Sequence, residues 1–192
     1  MGNIQLKTCV MAGPMRWVVL TTAGRVTTLA WFVDVRYTPH GSGHALFARS
    51  DVRASGHDDV RAVFSDNARM ATYLRDEIFS YSEFSGVTGH RQPAPVCEAT
   101  FTSRNDWPES LVESMTAADG TTLTLLFWAL GEPRAYVRAV NEAVTEVGAY
   151  AVPARFRLEV NGATAVGQAE IGPLAEAPAV GADVQNLWYT AG

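Results

Sequence analysis

Short β-hairpin signals recur along this chain and constrain its fold more than any other feature. In the clearest case, apolar and charged residues alternate over 156–160 and run into the dipeptide Asn161-Gly162. A period of two is typical of a strand with one buried face, and Asn-Gly is the preferred sequence of a two-residue type I′ turn. Similar turn dipeptides stand at Ala23-Gly24 and Asp119-Gly120. The chain is therefore predicted to be mainly antiparallel β-sheet.

The return arm of the last hairpin carries only small residues on its inner face. A two-residue turn places Ala163 opposite Val160 and Gly167 opposite Phe156. This nearly bare face has two interpretations. Either another element packs closely against it, or the space forms part of a ligand cavity.

Further strands are predicted at residues 17–21, 26–37, 44–48, 60–64, 96–102, 110–116 and 121–129. Two helices accompany them. Residues 65–67 supply N-cap chemistry for a helix over 68–79, and Pro133 opens a second helix that Gly148 ends. We therefore expect an α+β, mainly β fold, in which an antiparallel barrel-like or strongly curved sheet has two helices packed on it. A β-sandwich with peripheral helices is the alternative.

The size and charge of the chain favour one domain over residues 1–192, located in the cytoplasm. A chain of 192 residues is long enough for one core. Its net charge of -5 argues against a nucleic-acid partner, which needs a concentrated basic surface. No run reaches the roughly 20 apolar residues of a membrane-spanning helix. Cys9 and Cys97 have no metal-ligand spacing and are expected to be reduced.

No cofactor is predicted, because no motif has the spacing that a cofactor requires. The loop Gly41-Ser42-Gly43 lacks the third glycine and the βαβ frame of a dinucleotide fingerprint. His40, His44 and His57 offer the side chains of a zinc site, but their spacing is not diagnostic. A metal-dependent hydrolase is therefore the weakest functional alternative.

Glu113 is the first candidate catalytic residue. It is in phase with Leu111 and Met115 in its predicted strand, so its carboxylate is expected to turn toward the apolar side. Burial would raise its pKa toward the range useful for general acid or base chemistry. The alternatives are that a bulge leaves Glu113 in water, or that an arginine pairs with it in a structural ion pair.

Asp34 is the second candidate catalytic residue. It shares a strand face with Arg36, a predicted polar anchor, close to Tyr37 at the end of the strand. The alternative is an exposed ion pair without function. Glu98 is a candidate substrate-binding residue whose direction, toward the interior or toward solvent, stays open.

Aromatic residues in the strands could line a pocket. We predict that Trp31 and Trp128, together with Tyr37, form the wall of a site for a hydrophobic small molecule. The protein would bind this molecule and convert it by metal-free acid/base chemistry, such as cyclisation, isomerisation or hydration. The alternative is a non-catalytic carrier or a protein-interaction module. Neither nucleic acid nor a membrane is an expected partner, and a homodimer stays open.

Overall fold

The computed structural model describes residues 8–50, 60–87, 92–169 and 178–190. The prediction that involves His57 lies outside these residues. Thirteen strands are present in the described ranges: β1 (Cys9–Ala12), β2 (Met15–Thr22), β3 (Arg25–Val35), β4 (Gly43–Ser50), β5 (Val60–Ser65), β6 (Val96–Asp106), β7 (Ser110–Ala117), β8 (Thr122–Leu130), β9 (Arg134–Ala139), β10 (Val144–Ala151), β11 (Pro153–Val160), β12 (Ala163–Thr164) and β13 (Val180–Thr190).

The predicted hairpins are confirmed. Ala23 joins β2 to β3 with a φ of 51°, and Asn161 joins β11 to β12 with the same φ. Val160 pairs with Ala163 across the second turn. The positive φ values are those that a type I′ turn requires, so the short turn sequences set the register of both hairpins.

The strands form one large sheet in the order β12-β11-β8-β7-β6-β5-β4-β3-β2-β13-β10-β9, and β1 pairs with β13. Neighbours are antiparallel throughout the described part of the chain, except that β5 and β6 are parallel. Within these ranges, β12 and β9 are the two end strands of this order and do not pair with each other. The sheet is therefore not closed into a barrel. Of the two expected forms, barrel-like or strongly curved, a closed barrel is not the one observed, and the mainly antiparallel β class is confirmed.

The sheet nevertheless folds back on itself. β2 and β7 are five positions apart in the strand order, which is roughly 24 Å in a flat sheet. Yet Arg16 Nε of β2 lies 3.2 Å from Glu113 Oε1 of β7. One face of β2 therefore meets the inner face of β7, and the core lies between them.

The return arm of the last hairpin leaves β11 after Ala165 and joins the edge of β2 at Gln168. Thr21 N donates to Gln168 O at 2.9 Å, and Gln168 N donates to Thr21 O at 2.8 Å. The ladder with β11 ends at Thr164, so the predicted pairing of Gly167 with Phe156 is wrong. A Cβ atom at Gly167 would lie 2.9 Å from the Leu20 Cβ, so β2 approaches this part of the arm closely.

The first predicted helix is present. Helix α1 (Ala68–Tyr73) continues as a π-helical stretch over Leu74–Ile78. The Asn67 side chain caps it by accepting from Met70 N at 3.2 Å. The N-cap signal therefore located the start of the helix correctly. None of the helices in the described ranges is long and apolar enough to cross a membrane.

The second predicted helix is wrong, because residues 134–151 form the hairpin β9–β10. Arg134, Tyr136 and Arg138 alternate with smaller residues, which is a period of two. The Asn141 side chain accepts from Ala143 N and Val144 N at 2.8 and 2.9 Å and so closes the turn. Valines at 137, 140, 144 and 147 fit a helical spacing as well as a strand, and the local turn chemistry favours the strand.

The last strand, β13, was not predicted. β13 runs beside β1, β2 and β10, and it holds Trp188. Trp188 is fully buried. Cys9 and Cys97 are free thiols in β1 and β6, as expected.

Candidate ligand pocket

A pocket of about 520 Å³ opens between the face of β2 and β3 and the hairpin β9–β10. Its volume lies within the range of small-molecule sites, which is about 300–1,000 Å³. Most of the lining is apolar or aromatic. Its apolar members include Met15, Trp17, Val19, Val26, Leu29, Trp31 and Phe79. The pocket therefore offers a largely apolar concave surface.

One wall is a row of three aromatic rings. Trp17 meets Tyr150 edge-on with ring centroids 6.0 Å apart, and Tyr150 meets Tyr136 at 5.6 Å. The Trp17 indole N–H donates to Pro178 O at 2.8 Å. A Cβ atom at Gly181 would collide with the Trp17 ring, so the glycine allows the indole to lie flat against β13. Backbone contacts thus hold this wall in position.

Trp31 forms part of the opposite wall of the pocket. Its ring lies 5.8 Å from Phe79, which follows the π-helical stretch, and 6.3 Å from Phe47 on β4. Phe79 also packs edge-on against Trp188 at 5.3 Å. The segment after α1 therefore caps part of the sheet face and leaves the rest open as the pocket.

A buried polar network lies behind the aromatic wall. Glu146, which is 1% exposed, accepts from the Tyr136 hydroxyl at 2.7 Å and from Asn186 Nδ2 at 2.8 Å. Arg138 donates to its other oxygen through both Nε and Nη2. The guanidinium offsets the cost of burying the Glu146 charge.

Asp183 belongs to the same network. It accepts from Asn186 Nδ2 at 2.7 Å and from Met15 N at 3.3 Å, and the Tyr136 hydroxyl lies 3.3 Å from its other oxygen. Burial raises the pKa of Asp183 to about 7, although the hydrogen bond from Asn186 opposes the rise. Burial and the neighbouring charges of Asp183 and Glu146 also raise the pKa of Tyr136. The carboxyl group of Asp183 therefore titrates near neutral pH.

Glu113 lies apart from the pocket, in the core between β2 and β7. Its carboxylate is 3.2 Å from Arg16 Nε and accepts from the Ser103 hydroxyl at 3.1 Å. Burial raises the pKa of Glu113, and Arg16 and the Ser103 hydrogen bond oppose the rise. The predicted inward orientation is thus observed together with the ion pair given as its alternative. Its catalytic role stays a prediction.

Asp34 lies near enough to Glu113 for its charge to raise the Glu113 pKa, whereas the other residues predicted for the site are dispersed. Trp31 lines the pocket. Asp34 pairs with Arg36 at 3.7 Å on a half-exposed surface, and Tyr37 and Glu98 are exposed. Trp128 is half-buried on β8. Only Trp31 among these predicted residues is in the pocket lining, and the roles of the others stay predictions.

His40 and His44, on either side of the loop Gly41-Ser42-Gly43, contact neighbouring side chains. His44 Nδ1 lies 2.7 Å from Asp66 Oδ2, and the imidazole stacks on Phe101 with centroids 5.4 Å apart. His40 packs against Tyr73 at 4.6 Å. Within the described ranges, no three histidine, cysteine or acidic residues are grouped as a metal site would require.

Sequence reasoning missed the polar wall of the pocket because it assigned β9 and β10 to a helix. Tyr136, Arg138 and Glu146 then had no common face. The signal that could have found them is the alternation in Arg134-Ala135-Tyr136-Val137-Arg138-Ala139, followed by a turn at Asn141. Pairing these strands brings Arg138 directly opposite Glu146.

Comparisons of the chain with protein-family models, with curated proteins and with solved structures gave no match.

Proposed function

We propose that this protein binds a hydrophobic small molecule in the pocket between β2–β3 and β9–β10. The observation that carries the proposal is an apolar, aromatic-lined pocket of about 520 Å³ beside a buried polar network. Binding sites for small molecules combine these features, because apolar walls supply affinity and a few fixed polar groups orient the ligand.

The fixed position of the aromatic side chains in the wall supports the same function. Trp17 and Tyr136 are each held by a hydrogen bond. Fixed side chains lose little rotamer freedom when a ligand binds, so more of the apolar contact appears as affinity. The fixed aromatic wall therefore favours the binding of an apolar body.

A thermal-shift screen with lipids, polyketides and terpenoids tests this function. A compound that binds only the folded state stabilises it, by about 2.7 kcal/mol at a concentration of 100 times its Kd. At least one class should raise the melting temperature. Val26→Trp places an indole in the pocket lining and should abolish the shift.

The control is Val166→Trp, at a position 56% exposed and outside the pocket lining. It should retain the full shift. The proposal fails if no compound raises the melting temperature, or if both variants respond like the unmodified protein.

A further inference from the structure

We propose that the pocket selects an amphiphile with a single anionic head group, and that Arg134 is the residue that receives this head. The inference rests on the proposed function and adds the chemical class of the ligand. It comes from the charges around the pocket, which are three arginines and two glutamates.

Both glutamates of the lining are already paired with arginines. Glu83 accepts from Arg49 Nη1 at 2.7 Å. Glu146 accepts from Arg138 at a position where the carboxylate is almost fully buried. Neither carboxylate is therefore available as the partner of a third cation.

Arg134 is the third cation, and it has no ion pair or side-chain hydrogen bond within the described ranges. It faces Tyr150 across the β9–β10 ladder, whereas Glu146 faces Arg138. Four residues of strand separate these two positions, which is roughly 13 Å. That distance is far beyond an ion pair, and Arg138 already offsets the Glu146 charge, so Glu146 does not neutralise Arg134.

Arg134 also points to the correct side of the sheet. Residues directly opposite each other in an antiparallel pair project from the same face. Arg134 therefore shares a face with Tyr150, and both line the pocket. A guanidinium presents paired N–H donors that match a carboxylate or a phosphate. An apolar chain along Trp17 and Leu29 would leave its anionic end beside this group.

The test compares four probes with the same decyl chain at neutral pH, each below its micellar concentration: decanoate, decyl phosphate, decanol and decyltrimethylammonium. Binding is followed by the fluorescence of the tryptophans, two of which line the pocket. Decanoate or decyl phosphate should bind roughly three- to tenfold more tightly than decanol, and decyltrimethylammonium should bind most weakly. The tighter of the two anions identifies the head group.

Arg134→Gln should reduce anion binding to the level of decanol and leave decanol binding unchanged. Arg155→Gln is the matched control, because it removes the same charge from an exposed position on β11 outside the pocket lining. Equal affinities for anionic, neutral and cationic probes would overturn the head-group inference while leaving the binding function standing. Failure of all four probes to bind would overturn the amphiphile inference, and the thermal-shift screen would then decide the binding function separately.

Discussion

Asp183 is a buried carboxyl group whose surroundings raise its pKa to about 7. It is 2% exposed and sits beside Glu146, which is also buried. Only one of the two acids has a guanidinium partner, because Arg138 binds Glu146. Since a buried charge without a cation is costly, the proton is held by Asp183 to a higher pH than usual.

This difference predicts a pH-dependent stability. The pKa of Asp183 rises from 3.8 to about 7 on folding, so the folded protein binds this proton more tightly than the unfolded chain. The stabilisation is complete below about pH 4 and is lost as the pH rises through about 7. At about 1.4 kcal/mol per pKa unit, the total is at most about 4 kcal/mol.

Asp183→Asn should remove this part of the pH dependence. Urea unfolding of both proteins, followed from acid to mildly alkaline pH, measures it directly. The unmodified protein should lose stability across the interval, and the variant should lose less. Glu142→Gln is the control, at an exposed position in the β9–β10 turn. Parallel stability profiles for all three proteins would contradict the assignment.

The β9–β10 hairpin depends on the absence of a side chain at Gly148. A Cβ atom there would lie 2.8 Å from the Tyr136 hydroxyl oxygen and 2.7 Å from Gln185 O. The glycine therefore lets the Tyr136 ring cross β10 and reach Glu146. One small residue thus controls both the aromatic wall and the buried network.

Gly148→Ala should displace Tyr136 and destabilise the fold by roughly 1–3 kcal/mol, as overpacking does. It should also weaken the binding of the decanoate probe. Chemical denaturation and a fluorescence titration measure the two effects. Gly131→Ala is the matched control, because its Cβ would meet Val152 O at an ordinary 3.4 Å. Equal losses in both variants would argue against the role given to Gly148.

The elements with their own turn or cap signals could be predicted from the sequence. Asn161-Gly162 determines a type I′ turn and Asn67 a helix start, and both act within a few residues. The signal over residues 134–147 is weaker, because the alternation over 134–139 and the turn at Asn141 compete with valines that also fit a helix. Pairing with β13, which is distant in sequence, adds to the strand state. The polar side of the pocket was missed for the same reason.

At the scale of the whole molecule, the return of the sheet on itself places the two groups of buried charge in different environments. Glu113 and Arg16 lie between the folded halves, where their pairing joins β2 to β7. Glu146 and Arg138 lie on β9–β10, beside the open pocket. The alternation of residues in β7 indicated that Glu113 points inward. It carried no information about whether that side of the strand faces the packed core or the open pocket.

The five tryptophans provide a direct test of ligand binding in this pocket. Trp17 and Trp31 line it, whereas Trp107 and Trp128 do not. In a ¹⁵N-labelled protein, each indole N–H gives its own NMR signal, and these signals can be followed during titration with decanoate. The signals of Trp17 and Trp31 should shift together and saturate, while those of Trp107 and Trp128 stay in place. Shifts confined to Trp107 and Trp128, or no shifts at all, would contradict the proposed binding site.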